Sequence, residues 1–140
     1  MNRYFLDTNI VLFFISGDLD DLSFDTLNIL NDYNNQLYIS SIMAVEIVQL
    51  FRIGKIKPKK YKTADEVLIA IETDFFIKIL PFAKEHIQIL SKLKIATGHN
   101  DPFDYSIISH AITEKMILVS SDKKFEAYTG QQLFFSFNKR

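Results

Sequence analysis

Acidic side chains stand directly after two short apolar runs of this sequence, where they could bind a cation. Asp7 follows "YFL" at 4–6, and Asp122 follows "MILVSS" at 116–121. If both runs are strands of one parallel sheet, their carboxyl ends lie at the same edge, where open α/β sheets place ligand sites. The two carboxylates are therefore expected to meet in space, although they are far apart in the sequence.

Two further acids lie in predicted helices that would reach the same edge. Glu46 is the only acid of residues 33–64 and lies in an apolar stretch, where a buried carboxylate is costly unless it is paired or bound to a metal ion. Asp104 falls in the first turn of its helix and shares a face with Ile108, which is the side expected to be buried. Both carboxylates are therefore expected to lean over the edge that the first two acids share.

Carboxylates that converge without lysine or arginine partners repel one another and raise their own pKa values. A hard divalent cation relieves this repulsion, and ligation by oxygen alone selects Mg²⁺ or Mn²⁺ rather than zinc. Sites of this kind activate a water molecule and stabilise the leaving oxygen in phosphoryl chemistry. The pattern therefore suggests metal-dependent hydrolysis of phosphodiester bonds, with four residues acting both as metal ligands and as catalytic groups: Asp7, Glu46, Asp104 and Asp122.

Several of these acids also have a purely structural interpretation, as helix caps. Asp101 is a good N-cap because Pro102 follows it at the first helical position, where a missing N–H costs nothing. Asp104 would then suit the positive end of the helix dipole. Asp7 and Asp122 could likewise cap the helical segments that follow them. One such acid is ambiguous, but four at the positions where a single α/β order places its site favour a shared function.

The elements that must position these acids follow from the hydrophobic pattern. Gly and Pro are sparse, with 4 and 3 residues, so most of the chain is expected in regular elements. Strands are predicted over 3–7, 37–40, 75–80, 116–121 and 131–137. Helical segments are predicted between them over 8–17, 20–34, 41–54, 64–74, 83–97, 102–115 and 122–130. Short apolar strands that alternate with helices favour a three-layer α/β/α domain with a central parallel sheet.

Length and composition exclude several classes of protein. With 140 residues, the chain 1–140 is expected to form one domain. It has no cysteine, which excludes disulfides and thiolate metal sites. No apolar run approaches the roughly 18 residues of a membrane span, and we find no signal peptide pattern, so we expect a soluble cytoplasmic protein. A net charge of -1 argues against a protein whose whole surface binds polyanions.

A basic segment could nevertheless offer a local path for nucleic acid. The stretch "KIKPKKYK" at 55–62 holds five of the 16 lysine and arginine residues, with Tyr61 among them. The lysines could contact phosphates, and Tyr61 could stack on a base. An ordinary solvated loop explains the same composition, so both interpretations stay open.

Four stretches of the sequence resemble one known family when they are taken together. They are "FLDTNIVL" (5–12), "ISSIMAVEI" (39–47), "HNDPFDYSIISHA" (99–111) and "LVSSDKKFEAY" (118–128). In this order and spacing they are similar to the PIN domain nucleases and, within them, to the VapC-type toxins of toxin–antitoxin pairs. With the order of strands and helices, the resemblance covers nearly the whole chain and implies a PIN-like fold.

The resemblance assigns roles to particular residues. The acids of the family match the four named above, and the third of them matches Asp104 rather than Asp101. Asp101 is interpreted mainly as a helix cap and otherwise as a residue that supports the site from outside the ligand set. Asn9 and Ser120 match accessory positions that orient metal or water. Tyr105 stands where arginine is frequent in the commonest subtype, which leaves open how RNA is held there. The family implies an endoribonuclease that depends on Mg²⁺ or Mn²⁺ and binds one or two ions.

The resemblance also implies partners, and it leaves alternatives. A VapC-type toxin would have an RNA substrate and a cognate antitoxin, and it would form a homodimer. The early phenylalanines could provide the apolar groove and dimer face, or simply core: Phe13, Phe14, Phe24 and Phe51. One alternative is a housekeeping PIN nuclease for RNA maturation, without an antitoxin. A remote one is a phosphoacceptor receiver domain, although the predicted strand at 75–80 ends without the acid that such a domain needs.

Overall fold

The computed structural model describes residues 2–140, and it has the order of strands and helices that the sequence predicts. The strands are β1 (Arg3–Leu6), β2 (Gln36–Ser40), β3 (Ile77–Leu80), β4 (Ile117–Ser120) and β5 (Phe134–Phe137). The helices are α1 (Thr8–Ser16), α2 (Phe24–Asn31), α3 (Ser41–Arg52), α4 (Ala64–Thr73), α5 (Lys84–Lys92) and α6 (Pro102–Glu114). Short 3-10 helices occupy Leu19–Asp21 and Lys123–Gln131.

The five strands form one sheet in the order β3-β2-β1-β4-β5, and every neighbouring pair is parallel. β1 lies at the centre, where its residues Phe5 and Leu6 are fully buried. Helix α3 contacts both α1 and α4, and α5 packs against α6. The prediction of a three-layer α/β fold with a central parallel sheet is confirmed. Because β1, β2 and β4 are parallel neighbours, the residues that follow their carboxyl ends lie side by side at one edge of the sheet.

The start of α4 shows how local sequence fixes an element. Thr63 accepts a hydrogen bond from the N–H of Glu66 at 3.1 Å, as its position before an apolar helical pattern predicts. The Glu66 carboxylate reaches back and accepts from the N–H of Lys62 at 3.0 Å. Two backbone donors that the helix cannot satisfy internally are therefore paired by side chains. No helix among residues 2–140 has the length and apolar character needed to cross a bilayer.

The predicted helix over 83–97 is wrong in its length, because α5 ends at Lys92. The Gln131 side chain accepts from the N–H of Lys94 at 3.0 Å and donates to its carbonyl at 2.9 Å. Both backbone groups of Lys94 are thereby used by a distant side chain instead of the helix. Gly98 has a φ of +83° but lies in the turn beyond this irregular stretch, so it does not close α5.

The predicted helix over 20–34 is also wrong, since it divides into a 3-10 turn and α2. The cause is Asn138, a fully buried residue near the carboxyl end of the chain. Its side chain accepts from the N–H of Ser23 at 2.7 Å and donates to the carbonyl of Asp21 at 2.8 Å. These bonds keep the backbone non-helical between Asp21 and Ser23, and α2 begins after Ser23, which is its N-cap.

Three ionisable side chains lie between α5 and α6, with ligand atoms within 4.8 Å of one another: His86, His110 and Glu114. The N–H of Ala83 donates to Nδ1 of His86 at 2.8 Å, so the proton of this ring is on Nε2 and is donated to Glu114 at 2.7 Å. His110 is fully buried, and within residues 2–140 neither of its ring nitrogens has a hydrogen-bond partner. The cluster is therefore a hydrogen-bonded pair with a second imidazole packed beside it.

The burial of His110 predicts acid-sensitive stability. Desolvation first, and then His86, lowers the pKa of His110 from 6.5 to about 4. Below pH 6.5 the unfolded chain takes up a proton that the folded protein refuses, so stability is lost as the pH falls from 6.5 towards 4. We compare the free energy of unfolding of His110→Phe with that of the wild type. The difference should shift in favour of His110→Phe by on the order of 2 kcal/mol between pH 8 and pH 5. Urea unfolding of both proteins at both pH values measures this, and an identical difference at the two pH values would contradict it.

Candidate functional site

Asp7 lies at the centre of the candidate site, where β1 passes into α1. Its N–H donates to the carbonyl of Val119 at 2.9 Å, which continues the pairing of β1 with β4. One carboxylate oxygen caps α1 by accepting from the N–H of Thr8 at 2.9 Å, and the other accepts from the hydroxyl of Ser120 at 2.6 Å. The side chain is only 7% exposed. Asp7 is therefore both a cap and a fixed carboxylate at the sheet edge.

Asp122 follows the neighbouring strand and is joined to Asp7 through Ser120. The N–H of Asp122 donates to the Ser120 hydroxyl oxygen at 3.0 Å. The Asp122 carboxylate also caps the 3-10 helix by accepting from the N–H of Lys124 at 2.9 Å. Ser120 is fully buried, so its hydroxyl has no competing solvent. Parallel pairing of β1 and β4 thus brings two acids that are distant in sequence to one point.

Asp104 and Asp101 separate clearly in the structure. Asp101 is exposed, and it caps α6 by accepting from the N–H of Phe103 at 3.0 Å. Asp104 lies in the first turn of α6 with a side chain that is 16% exposed, and its Oδ2 lies 2.9 Å from Nε2 of His99. The cap points outwards, whereas Asp104 turns towards the sheet edge.

Glu46 and Asn9 complete the set of residues that the sequence singles out. Glu46 is half-buried in α3, the helix that follows β2, and its charge contributes to the raised pKa of Asp7. Asn9 is exposed in the first turn of α1, and no hydrogen bond among residues 2–140 joins it to the acids. The structure thus brings Glu46 near Asp7, and it leaves Asn9 at the rim.

The electrostatics of the site come from burial and mutual repulsion. Burial raises the pKa of Asp7 to about 6, against the opposing hydrogen bonds from Ser120 and Thr8, and the charges of Asp104 and Glu46 raise it further. Burial likewise raises the pKa of Asp104, with help from Asp101 and Asp122.

Within residues 2–140, no lysine or arginine forms an ion pair with these four acids. Their donor atoms are carboxylate oxygens only, which suits a hard divalent ion such as Mg²⁺ or Mn²⁺. Such an ion would also relieve the repulsion that raises their pKa values. The residues present therefore fit the metal that the sequence suggests.

The cost of burying the charge of Asp7 predicts how the stability of the metal-free protein changes when this charge is removed. Between pH 3.8 and about 6 the folded state holds a proton that the unfolded chain releases, so above this range the ionised Asp7 destabilises the fold. We expect Asp7→Asn to raise the free energy of unfolding by about 1 to 3 kcal/mol at pH 7.5, since the amide carries no charge to desolvate. Chemical denaturation in EDTA measures the gain. The matched control, Asp25→Asn on the exposed face of α2, should show no gain, and a destabilised Asp7→Asn would contradict the prediction.

The basic segment 55–62 presents its lysines but not its tyrosine. All five lysines are exposed. The Tyr61 hydroxyl donates to Asp74 at 2.8 Å, and burial together with this bond raises the pKa of Tyr61 to about 12. Lys60 lies 3.9 Å from the same carboxylate. Tyr61 is therefore held by α4 and its end, and stacking on a base would require it to give up that contact.

The sequence reasoning missed a contact of the site on its far side, between His99 and Tyr128. His99 is 3% exposed and Tyr128 is fully buried. Nδ1 of His99 lies 2.7 Å from the Tyr128 hydroxyl, while Nε2 contacts Asp104. The position of His99 just before a capped helix signals a local hydrogen bond, but nothing in the sequence identifies Tyr128 as the partner.

A family model described as the PIN domain matches residues 4–131 of this chain. No curated protein matches the sequence significantly. Among solved structures, a chain of VapBC2 from Rickettsia felis bound to a DNA fragment from their promoter is 25% identical, with a TM-score of 0.69 over 98% of this chain and 99% of that one.

Two other structures are similar over nearly their whole length. A chain of VapBC-1 from nontypeable Haemophilus influenzae is 20% identical, with a TM-score of 0.67 over 96% of this chain and 97% of that one. A chain of DNA-bound VapBC from Salmonella typhimurium is 21% identical, with a TM-score of 0.65 over 98% of each chain. At these identities the two structures show the shared fold.

Proposed function

The chain belongs to the PIN domain family, and from that premise we propose that it is an endoribonuclease that depends on Mg²⁺ or Mn²⁺. The proposal rests mainly on one observation at the sheet edge: the buried hydroxyl of Ser120 joins Asp7 to the backbone of Asp122, and no lysine or arginine within residues 2–140 is paired with any of the four acids. Because the acids repel one another, such a cluster destabilises the metal-free protein, and a bound cation would relieve the repulsion. Family membership excludes the receiver-domain alternative.

The proposed ligands are those same four carboxylates. A divalent ion held there would supply a polarised water and would stabilise negative charge on the phosphate and the leaving oxygen. Asp7 is fixed by Thr8 and Ser120, so its oxygens keep one direction. Burial raises the pKa of Asp7, and a bound divalent ion would favour the ionised carboxylate that serves as a ligand. Ser120 also holds the backbone of Asp122, and it orients two of the acids together.

We further propose that the protein is the toxin of a VapBC-type pair, neutralised by a cognate antitoxin. The similarity to chains of VapBC complexes from three bacteria supports this, because each match extends over at least 96% of both chains. RNA as substrate, a cytoplasmic site of action and a homodimer are parts of the same proposal. The lysines of 55–62 are exposed and could contact RNA phosphates.

Growth after induction tests the proposed function. Expression of the wild type is expected to stop growth, Asp7→Asn is expected to be harmless, and Asp25→Asn should be as toxic as the wild type. If a small gene adjoins this one and encodes the antitoxin, its co-expression should restore growth. Purified wild-type protein with Mn²⁺ should cleave structured RNAs. Harmless expression together with intact RNA would refute the nuclease toxin, whereas cleavage without toxicity would favour a housekeeping nuclease.

A further inference from the structure

Three groups form a continuous hydrogen-bonded chain behind Asp104. The N–H of Ala96 donates to the hydroxyl oxygen of Tyr128 at 3.1 Å. That hydroxyl lies 2.7 Å from Nδ1 of His99, and Nε2 of His99 lies 2.9 Å from Oδ2 of Asp104. His99 and Tyr128 are both buried, so water does not compete for these bonds.

The direction of each hydrogen bond follows from the number of protons available. The Tyr128 oxygen accepts from a backbone N–H, and its single proton is then donated to Nδ1 of His99. The ring proton of a neutral His99 therefore lies on Nε2, and it is donated to Asp104. Tyr128 thus selects the tautomer in which Nε2 of His99 donates to the Asp104 carboxylate. This hydrogen bond forms with a neutral imidazole and does not require a protonated, charged ring.

The His99 ring is also fixed sterically. The rings of Tyr105, Phe125 and Tyr128 pack against it edge to face, with centroid distances of 5.3, 6.2 and 5.5 Å. The Tyr105 hydroxyl donates to the His99 carbonyl, which anchors the backbone. The irregular stretch that follows Lys92, the last residue of α5, places Ala96 and His99 within hydrogen-bond distance of Tyr128. These contacts leave the imidazole a single orientation.

From this geometry we infer that His99 and Tyr128 are positioning residues, which hold Oδ2 of Asp104 so that its other oxygen, Oδ1, is presented to the metal ion. Within residues 2–140, Oδ1 of Asp104 has no hydrogen-bond partner and is free to act as a ligand. The inference rests on the proposed function, because it gives Asp104 the role of a metal ligand. Partners of this kind orient a ligand before the metal arrives, and losing one weakens metal binding by about 10- to 100-fold.

Mn²⁺ affinity, measured by calorimetry without RNA, tests the inference with three variants. His99→Phe fills the aromatic pocket but removes the donor, and we expect its Kd for Mn²⁺ to rise about 10- to 100-fold. His99→Gln places an amide N–H where Nε2 lies, and it should recover most of the affinity. Tyr128→Phe keeps the ring and removes only the hydroxyl that selects the tautomer, so its Kd should fall between those of the wild type and His99→Phe. Thermal melting in EDTA checks that each variant is folded.

The outcomes separate this inference from the function on which it rests. A wild type that does not bind Mn²⁺ refutes the proposed function itself. A wild type that binds, with an unchanged Kd in His99→Phe, overturns only the positioning role. Equal losses in the Phe and Gln variants would mean that His99 acts through packing, which also overturns it. If His99→Phe does not fold, Tyr128→Phe decides, because an unchanged Kd there removes the need for the hydroxyl.

Discussion

Asp104→Asn is expected to lower the rate of RNA cleavage by at least about 100-fold at a Mn²⁺ concentration near the Kd of the wild type. The amide keeps the shape of the carboxylate, and its oxygen can still accept from His99. It carries no charge, so it loses the attraction to a divalent ion and leaves the ion more weakly held. Single-turnover cleavage of a labelled RNA measures the effect, and melting in EDTA should show that the fold survives.

The matched control lies three residues earlier, at Asp101. Asparagine caps a helix about as well as aspartate, so Asp101→Asn should keep the hydrogen bond to Phe103 and change the rate by less than about threefold. The two variants together test whether the inward acid and the outward acid of one helix start have different functions. Equal rates in both variants, or a larger loss in Asp101→Asn, would show that Asp104 is not a ligand.

Metal removal is expected to have the second large effect. Dialysis against EDTA should abolish cleavage, and either Mg²⁺ or Mn²⁺ should restore it, because the four carboxylates supply only hard oxygen ligands. The same ions should stabilise the wild type against unfolding by about 2.7 kcal/mol when their concentration is 100 times the Kd. Urea denaturation with and without Mn²⁺ measures this second readout independently of RNA.

Asp7→Asn provides the control for metal removal. This variant should be more stable than the wild type in EDTA and should gain little on addition of Mn²⁺, so the two stability curves should approach each other as metal is added. Full cleavage by the wild type in EDTA would rule out a metal-dependent reaction. An equal Mn²⁺ response in Asp7→Asn would place the ion elsewhere.

The positions of the acids could be predicted because the sheet is simple. Alternating short strands and helices imply parallel pairing, and a parallel sheet brings the residues after β1 and β4 to one edge. Asp7 and Asp122 therefore follow from strand ends alone. The role of Asp101 as a cap follows equally directly from Pro102. In these cases the determining interactions lie within a few residues, or they obey a general rule of topology.

The errors arose where a distant side chain overrides a local preference. The helical pattern of 83–97 is real, but Gln131 takes the backbone groups of Lys94, and α5 stops early. Asn138 interrupts the predicted helix at 20–34 in the same way. The pairing of His99 with Tyr128 depends on both of the elements that carry them being packed in place. No pattern within a short window contains such information, because the partners are defined only after the fold forms.

The pairing of Asp7 with Ser120, 113 residues apart, has a consequence for how the protein is made. β1 leaves the ribosome well before β4, whose carboxyl end carries the serine that holds Asp7. Until β4 and the residues after it are made, Asp7 has neither its hydroxyl partner nor the neighbouring carboxylate of Asp122. A chain whose translation stops before β4 therefore cannot assemble this cluster of acids.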